Sequence, residues 1–127
     1  MAINSFGDNT APHLDLPAAL HKIGEASAVR DMLGMLADLL AQDVPKIRQA
    51  LFNQDLAVAG CLMHSLKGCM PIFCTPPICN QIALVELHAK LGDSGQAQQA
   101  YASLGPALAA LQLEIELHLA TPAETLE

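Results

Sequence analysis

Apolar residues recur at intervals of three and four along most of this chain, and no run of alternating β-branched residues interrupts them, so the pattern predicts helices throughout. Leu16-Pro17 opens a short helix reaching about Ile23, with Asp15 as its cap and Gly24 closing it. A long helix begins at Ser27 with a broad stripe of Val29, Met32, Leu33, Leu36, Leu39 and Leu40. Pro45 predicts a kink in it, after which Ile47, Leu51 and Phe52 continue. A third helix is expected over residues 55–73, capped by Asp55, with Pro71 near its end and Thr75-Pro76-Pro77 as the break. The fourth, over residues 77–91, places Ile78, Ile82, Val85 and Ala89 on one face and pairs Glu86 with Lys90. Gly92-Asp93-Ser94 reads as a stop followed by a new cap. In the last helix Ala97, Tyr101, Leu104, Leu108, Leu111, Ile115 and His118 form a coiled-coil-like seam, which Gly105-Pro106 is expected to bend or briefly break. The fold class that follows is all-α, an antiparallel four-helix bundle with a short extra N-terminal helix. The bundle spans residues 14–120, between a flexible lead (1–13) and a loose tail (121–127).

Composition narrows the function. With 127 residues the chain is one domain large enough to bury a real core. Its formal charge of −7, with six scattered cations, argues against a nucleic-acid partner. No stretch reaches the roughly 18 apolar residues of a membrane span, and the start lacks a basic region followed by an apolar run, so a cytoplasmic protein is expected. Cys61, Cys69, Cys74 and Cys79 lie too close together for a disulfide framework and read as reduced thiols.

The segment His64-Ser65-Leu66-Lys67-Gly68 carries the chemistry. At about 100° per residue, Leu62, Leu66, Cys69 and Phe73 fall within roughly 40° of the side opposite His64, flanked by Val58, Ala59 and Met70. His64 therefore points away from the core, with Ala57, Gly60, Cys61, Lys67, Gly68 and Pro71 around it. Gly60 and Gly68, four residues to either side, leave clearance for a partner, at a cost to the helix of roughly 1 kcal/mol each. Met63 and Met70 are expected to border the docking face, with Ser65 a minor contributor. An imidazole supplies a neutral nucleophile in quantity near neutral pH, and the Lys67 ammonium one turn later can offset the charge of a phosphoryl group carried on it.

These residues resemble the signature of histidine-containing phosphotransfer domains of bacterial phosphorelays: His, any residue, Leu or Ile, Lys, Gly. The likeness covers about residues 14 to 119 and includes Leu14-Asp15-Leu16 with Gly24, Asp43-Val44-Pro45, Asn53-Gln54-Asp55 and Gly92-Asp93. It departs from many members at Cys74, where they have glycine, and at Pro71. The resemblance implies a carrier that takes a phosphoryl group on Nε2 of His64 from a receiver-domain aspartate and passes it to a response-regulator aspartate. It implies as partners the receiver domains of a hybrid sensor histidine kinase and of a response regulator, with Mg²⁺ held by the receiver and no cofactor on this chain. Direct membrane contact is not expected, and the chain is expected to be a monomer.

No nucleotide-binding loop or carboxylate metal triad is present in the sequence, so the isolated domain is expected not to be an enzyme. If it is the last domain of a hybrid sensor, the parent chain would be a histidine kinase. Two other readings stand beside this one: a helical scaffold that binds a receiver or kinase without transfer, and a metal-binding module built on Cys61, His64, Cys69, Cys74 and Cys79.

Overall fold

A computed structural model describes residues 13–121. Five α-helices follow one another: α1 (Leu16–Ile23), α2 (Ala26–Phe52), α3 (Leu56–Cys69), α4 (Pro76–Lys90) and α5 (Ser94–Ala120), with a 3₁₀ turn at Met70–Ile72. Three aspartates start helices in the same way. The side chains of Asp15, Asp55 and Asp93 accept hydrogen bonds from the backbone N–H of Ala18 (3.1 Å), Val58 (3.3 Å) and Gln96 (3.1 Å). Gly24 ends α1 at φ +97°, a left-handed conformation that glycine adopts without a side-chain clash.

Short connections turn α2, α3, α4 and α5 back on one another, and each packs against its two neighbours in a closed ring. The amphipathic stripes meet in the middle. Leu33, Leu40 and Ile47 of α2, Met63 and Leu66 of α3, Ile78 and Ile82 of α4, and Leu104, Leu108, Leu111 and Ile115 of α5 are fully buried. The expected faces of α4 and α5 are the buried ones, whereas Phe52 at the end of α2 is 80 % exposed. α1 packs against α2 and the 3₁₀ turn.

Both prolines expected to bend or break helices sit within continuous ones: α2 runs through Pro45 and α5 through Gly105-Pro106. Pro45 and Pro106 are exposed, as are Ala41 and Ala102 four residues before them, so water can reach each carbonyl that loses its partner. α3 stops at Cys69 rather than continuing to Phe73, because Pro71 tightens the next turn into 3₁₀ form.

The expected lead and tail fall outside the described residues except for His13 and Thr121. His13 belongs to the bundle. Its N–H and that of Leu14 donate to Glu114 Oε1 (3.1 and 3.0 Å), and its carbonyl accepts from Thr75 N–H (2.9 Å). Among the described residues no helix is long and apolar enough to cross a membrane.

Candidate functional site

The site forms where α3 and α4 run side by side. Gly60 of α3 faces α4: a Cβ built on it would meet Ala89 Cβ at 3.7 Å, an ordinary van der Waals contact. One turn further along α3, His64 stands against Glu86 of α4, and Lys67 follows.

Glu86 is the centre of the arrangement, with its side chain only 2 % exposed. Its Oε1 accepts from Lys67 Nζ at 2.7 Å. Its Oε2 lies 2.8 Å from His64 Nδ1 and accepts from Lys90 Nζ at 2.8 Å. A buried carboxylate is stable only when its charge is compensated. Lys67, then Lys90, hold the Glu86 carboxyl down at about 2; burial opposes them and the His64 bond assists. The carboxylate is therefore ionised at neutral pH and can only accept. Nδ1 must carry the hydrogen, which leaves the lone pair of the neutral ring on Nε2. The His64 side chain is 67 % exposed, and an open groove of about 570 Å³ runs beside it, lined by Gly60, Cys61, Ala89 and Lys90 among others. A large reactant can reach the ring.

The residues expected at the site divide. His64, Ser65 and Gly68 are exposed, and nothing lies within 4 Å of a Cβ built on Gly68. Lys67 is beside His64, as the spacing required, but its ammonium is engaged by Glu86. Met63 and Met70 do not border a docking face: both are 0 % exposed. Gly60, expected to be open like Gly68, is buried instead: it faces Ala89 of α4 and lines the groove beside His64. One cause underlies these corrections. The buried arc of α3 is Ala59, Met63, Leu66 and Met70, about 50° round from the stripe centred opposite His64. Leu62 and Cys69 are only part-buried and Val58 is 45 % exposed, because they lie towards α2 at the edge of the interface. The displacement brings Gly60 and Lys67 against α4.

Glu86, expected only to pair with Lys90 four residues on, is the site residue that the sequence pattern did not single out. A signal was present: Ile78, Ile82, Glu86 and Ala89 are spaced by four, four and three, so the acid occupies a core register.

The cysteines are all free thiols. Burial, then neighbouring Cys79, pushes the Cys74 thiol up to about 12, and burial also raises Cys69 and Cys79. Among the described residues no three His, Cys, Asp or Glu side chains are grouped to hold a metal ion, which removes the structural basis of the cysteine–histidine metal module. His118, expected at the edge of the α5 seam, is part-buried; burial and then Arg30 lower its pKa. Compared with protein-family models, curated proteins and solved structures, the chain has no match in any of the three.

Proposed function

We propose that this chain is a phosphorelay carrier of the histidine-containing phosphotransfer kind. It accepts a phosphoryl group on Nε2 of His64 from a receiver-domain aspartyl phosphate and returns it to the aspartate of another receiver. The observation that carries this reading is the pairing of an exposed imidazole with a buried, ionised carboxylate at its Nδ1.

The chemistry follows from that pairing. The Nε2 lone pair attacks phosphorus; the N–P bond forms as the acyl P–O bond breaks, and the receiver aspartate leaves with the bonding electrons. The ring then bears substituents on both nitrogens and is cationic. Glu86 sits where that charge develops and was ionised beforehand, so little reorganisation is needed. Lys67 and Lys90 carry positive charge beside the ring, to set against the phosphoryl oxygens. A cationic imidazole is also a good leaving group, which suits the return step. The receiver supplies the Mg²⁺ that neutralises the acyl phosphate. Gly68 leaves the surface next to His64 flat for a protein partner.

The test is to mix the chain with receiver domains from the same organism, labelled on phosphorus by acetyl phosphate. Label should move rapidly to the wild-type chain from at least one receiver and not at all to His64→Gln, whose circular dichroism remains helical. Label on His64→Gln would refute the assignment. Receiver binding without any transfer to the wild type would instead make the chain a scaffold.

A further inference from the structure

Glu86 faces two ammonium groups and one imidazole, and its two oxygens divide them unequally. Oε1 accepts from Lys67 Nζ at 2.7 Å. Oε2 is shared, with His64 Nδ1 and Lys90 Nζ each 2.8 Å away. The surroundings of the lysines differ as well. Lys90 lines the open groove beside His64 together with Gly60, Cys61 and Ala89, and its side chain is 59 % exposed. Lys67 is not part of that lining, and its side chain is 42 % exposed.

A phosphoryl group on Nε2 upsets this balance. The ring becomes a cation whose Nδ1–H still points at Oε2, so an imidazolium and the Lys90 ammonium crowd one oxygen and repel each other. The phosphoryl oxygens bring about two negative charges to the exposed side of the ring. The imidazole cannot follow them, because it is the group that carries them. An ammonium on a flexible stem can. A buried carboxylate needs compensation in both states. Before phosphorylation Glu86 has the two ammonium groups. Afterwards the imidazolium and Lys67 supply the same number of cations, and Lys90 is surplus.

Resting on the phosphorelay reading, the geometry points to a division of labour between the two lysines. Lys90 leaves Oε2 when His64 is phosphorylated and donates to the phosphoryl oxygens, while Lys67 stays on Oε1 as the fixed counter-ion of Glu86. The lysine of the His64–Gly68 segment is then a positioning residue, and the one that touches the phosphoryl group comes from α4. Glu86 faces two cations throughout, so the bond that orients the ring persists in both states of the carrier. When the phosphoryl group departs, Lys90 returns to Oε2.

The test uses phosphoramidate, a small donor that needs no receiver. The Nε2–P bond forms as the P–N bond of the donor breaks, and ammonia leaves with the bonding pair. Phosphorus NMR then follows the decay of the phosphohistidine to inorganic phosphate. Lys90→Met should shorten its life by about tenfold, the scale of a lost charge-assisted bond. Lys90→Arg should restore most of it, and Lys67→Met should shorten it less than Lys90→Met does. In the wild type, the side-chain resonances of Lys90 should move farther on phosphorylation than those of Lys67. A wild-type lifetime in Lys90→Met, a shorter one in Lys67→Met than in Lys90→Met, or a larger movement of Lys67 would overturn the division of labour. These readouts involve no receiver, so a failure of every receiver to transfer label would sink the phosphorelay reading and leave them standing. Absence of any phosphohistidine on His64 would overturn both.

Discussion

Glu86 and His64 form a pair of opposites: a carboxylate with 2 % of its side chain exposed lies 2.8 Å from Nδ1 of an imidazole that is 67 % exposed. One partner is held fixed by the bundle and the other is presented to solvent. The fixed partner decides which nitrogen of the presented one is free, and the first prediction follows from this. Glu86→Gln keeps the shape but no longer dictates the tautomer, since an amide can donate or accept. Phosphoryl transfer through His64 should fall by about 10- to 100-fold, the scale seen when the group that orients an imidazole is lost. The ring resonances of His64 should report a mixture of tautomers. Unchanged transfer together with an unchanged tautomer would show that the 2.8 Å bond has no part in the chemistry.

Glu86→Ala goes further, because it strips the counter-ion from both Lys67 and Lys90. Their side chains are 42 % and 59 % exposed, so both can turn to water. The loss of folding stability should therefore be about 1–2 kcal/mol, well under the cost of stranding a fully buried charge. Urea unfolding measures it.

Lys67→Ala should leave the fold almost untouched, within about 1 kcal/mol, because a half-exposed ion pair contributes little. It should nonetheless slow transfer or shorten the life of the phosphohistidine. Stopped-flow transfer from a labelled receiver, with the decay of the labelled chain followed in parallel, separates the two effects. If neither changes, Lys90 alone provides the positive charge.

The two glycines beside His64 should behave in opposite ways. Gly68 faces open space, so Gly68→Leu should stabilise the helix by up to about 1 kcal/mol while blocking receiver docking by bulk. Gly60 faces Ala89 across the α3–α4 interface, so Gly60→Leu should cost about 1–3 kcal/mol through overpacking. Thermal melts and transfer rates on the two variants give a crossed pattern. Equal loss of stability in both would contradict the placement of Gly68 on the open face.

Acid should unfold the chain in a window set by Glu86. Its folded value of about 2 lies below the ordinary 4.5, so the unfolded chain binds that proton more readily. The contribution is fully present above 4.5 and is lost as pH falls from there through about 2. Between about pH 5 and about pH 3, the wild type should lose more stability than Glu86→Gln, which has no proton to take up. Parallel pH dependences for the two proteins would mean that the carboxylate is not held as its three partners imply.

Local pattern was enough for much of this protein. Aspartates before apolar runs became the caps of α1, α3 and α5, and the intervals of four and three in α4 and α5 identified their buried faces. These features depend on bonds within a turn or two and on a period built into the helix, so neighbouring residues suffice to specify them. The exposure of His64 and the adjacency of Lys67 belong to the same class.

What the tertiary structure decided was the rotation of α3 about its own axis. The helical wheel centred the core opposite His64, on Leu62, Leu66, Cys69 and Phe73. Packing centred it on Ala59, Met63, Leu66 and Met70, with Gly60 facing Ala89 of α4. That turn took Met63 and Met70 off the exposed surface, moved Gly60 into an interface and set His64 and Lys67 against one buried acid. Glu86 is twenty-two positions from His64 along the chain, and only the pairing of two helices makes them neighbours.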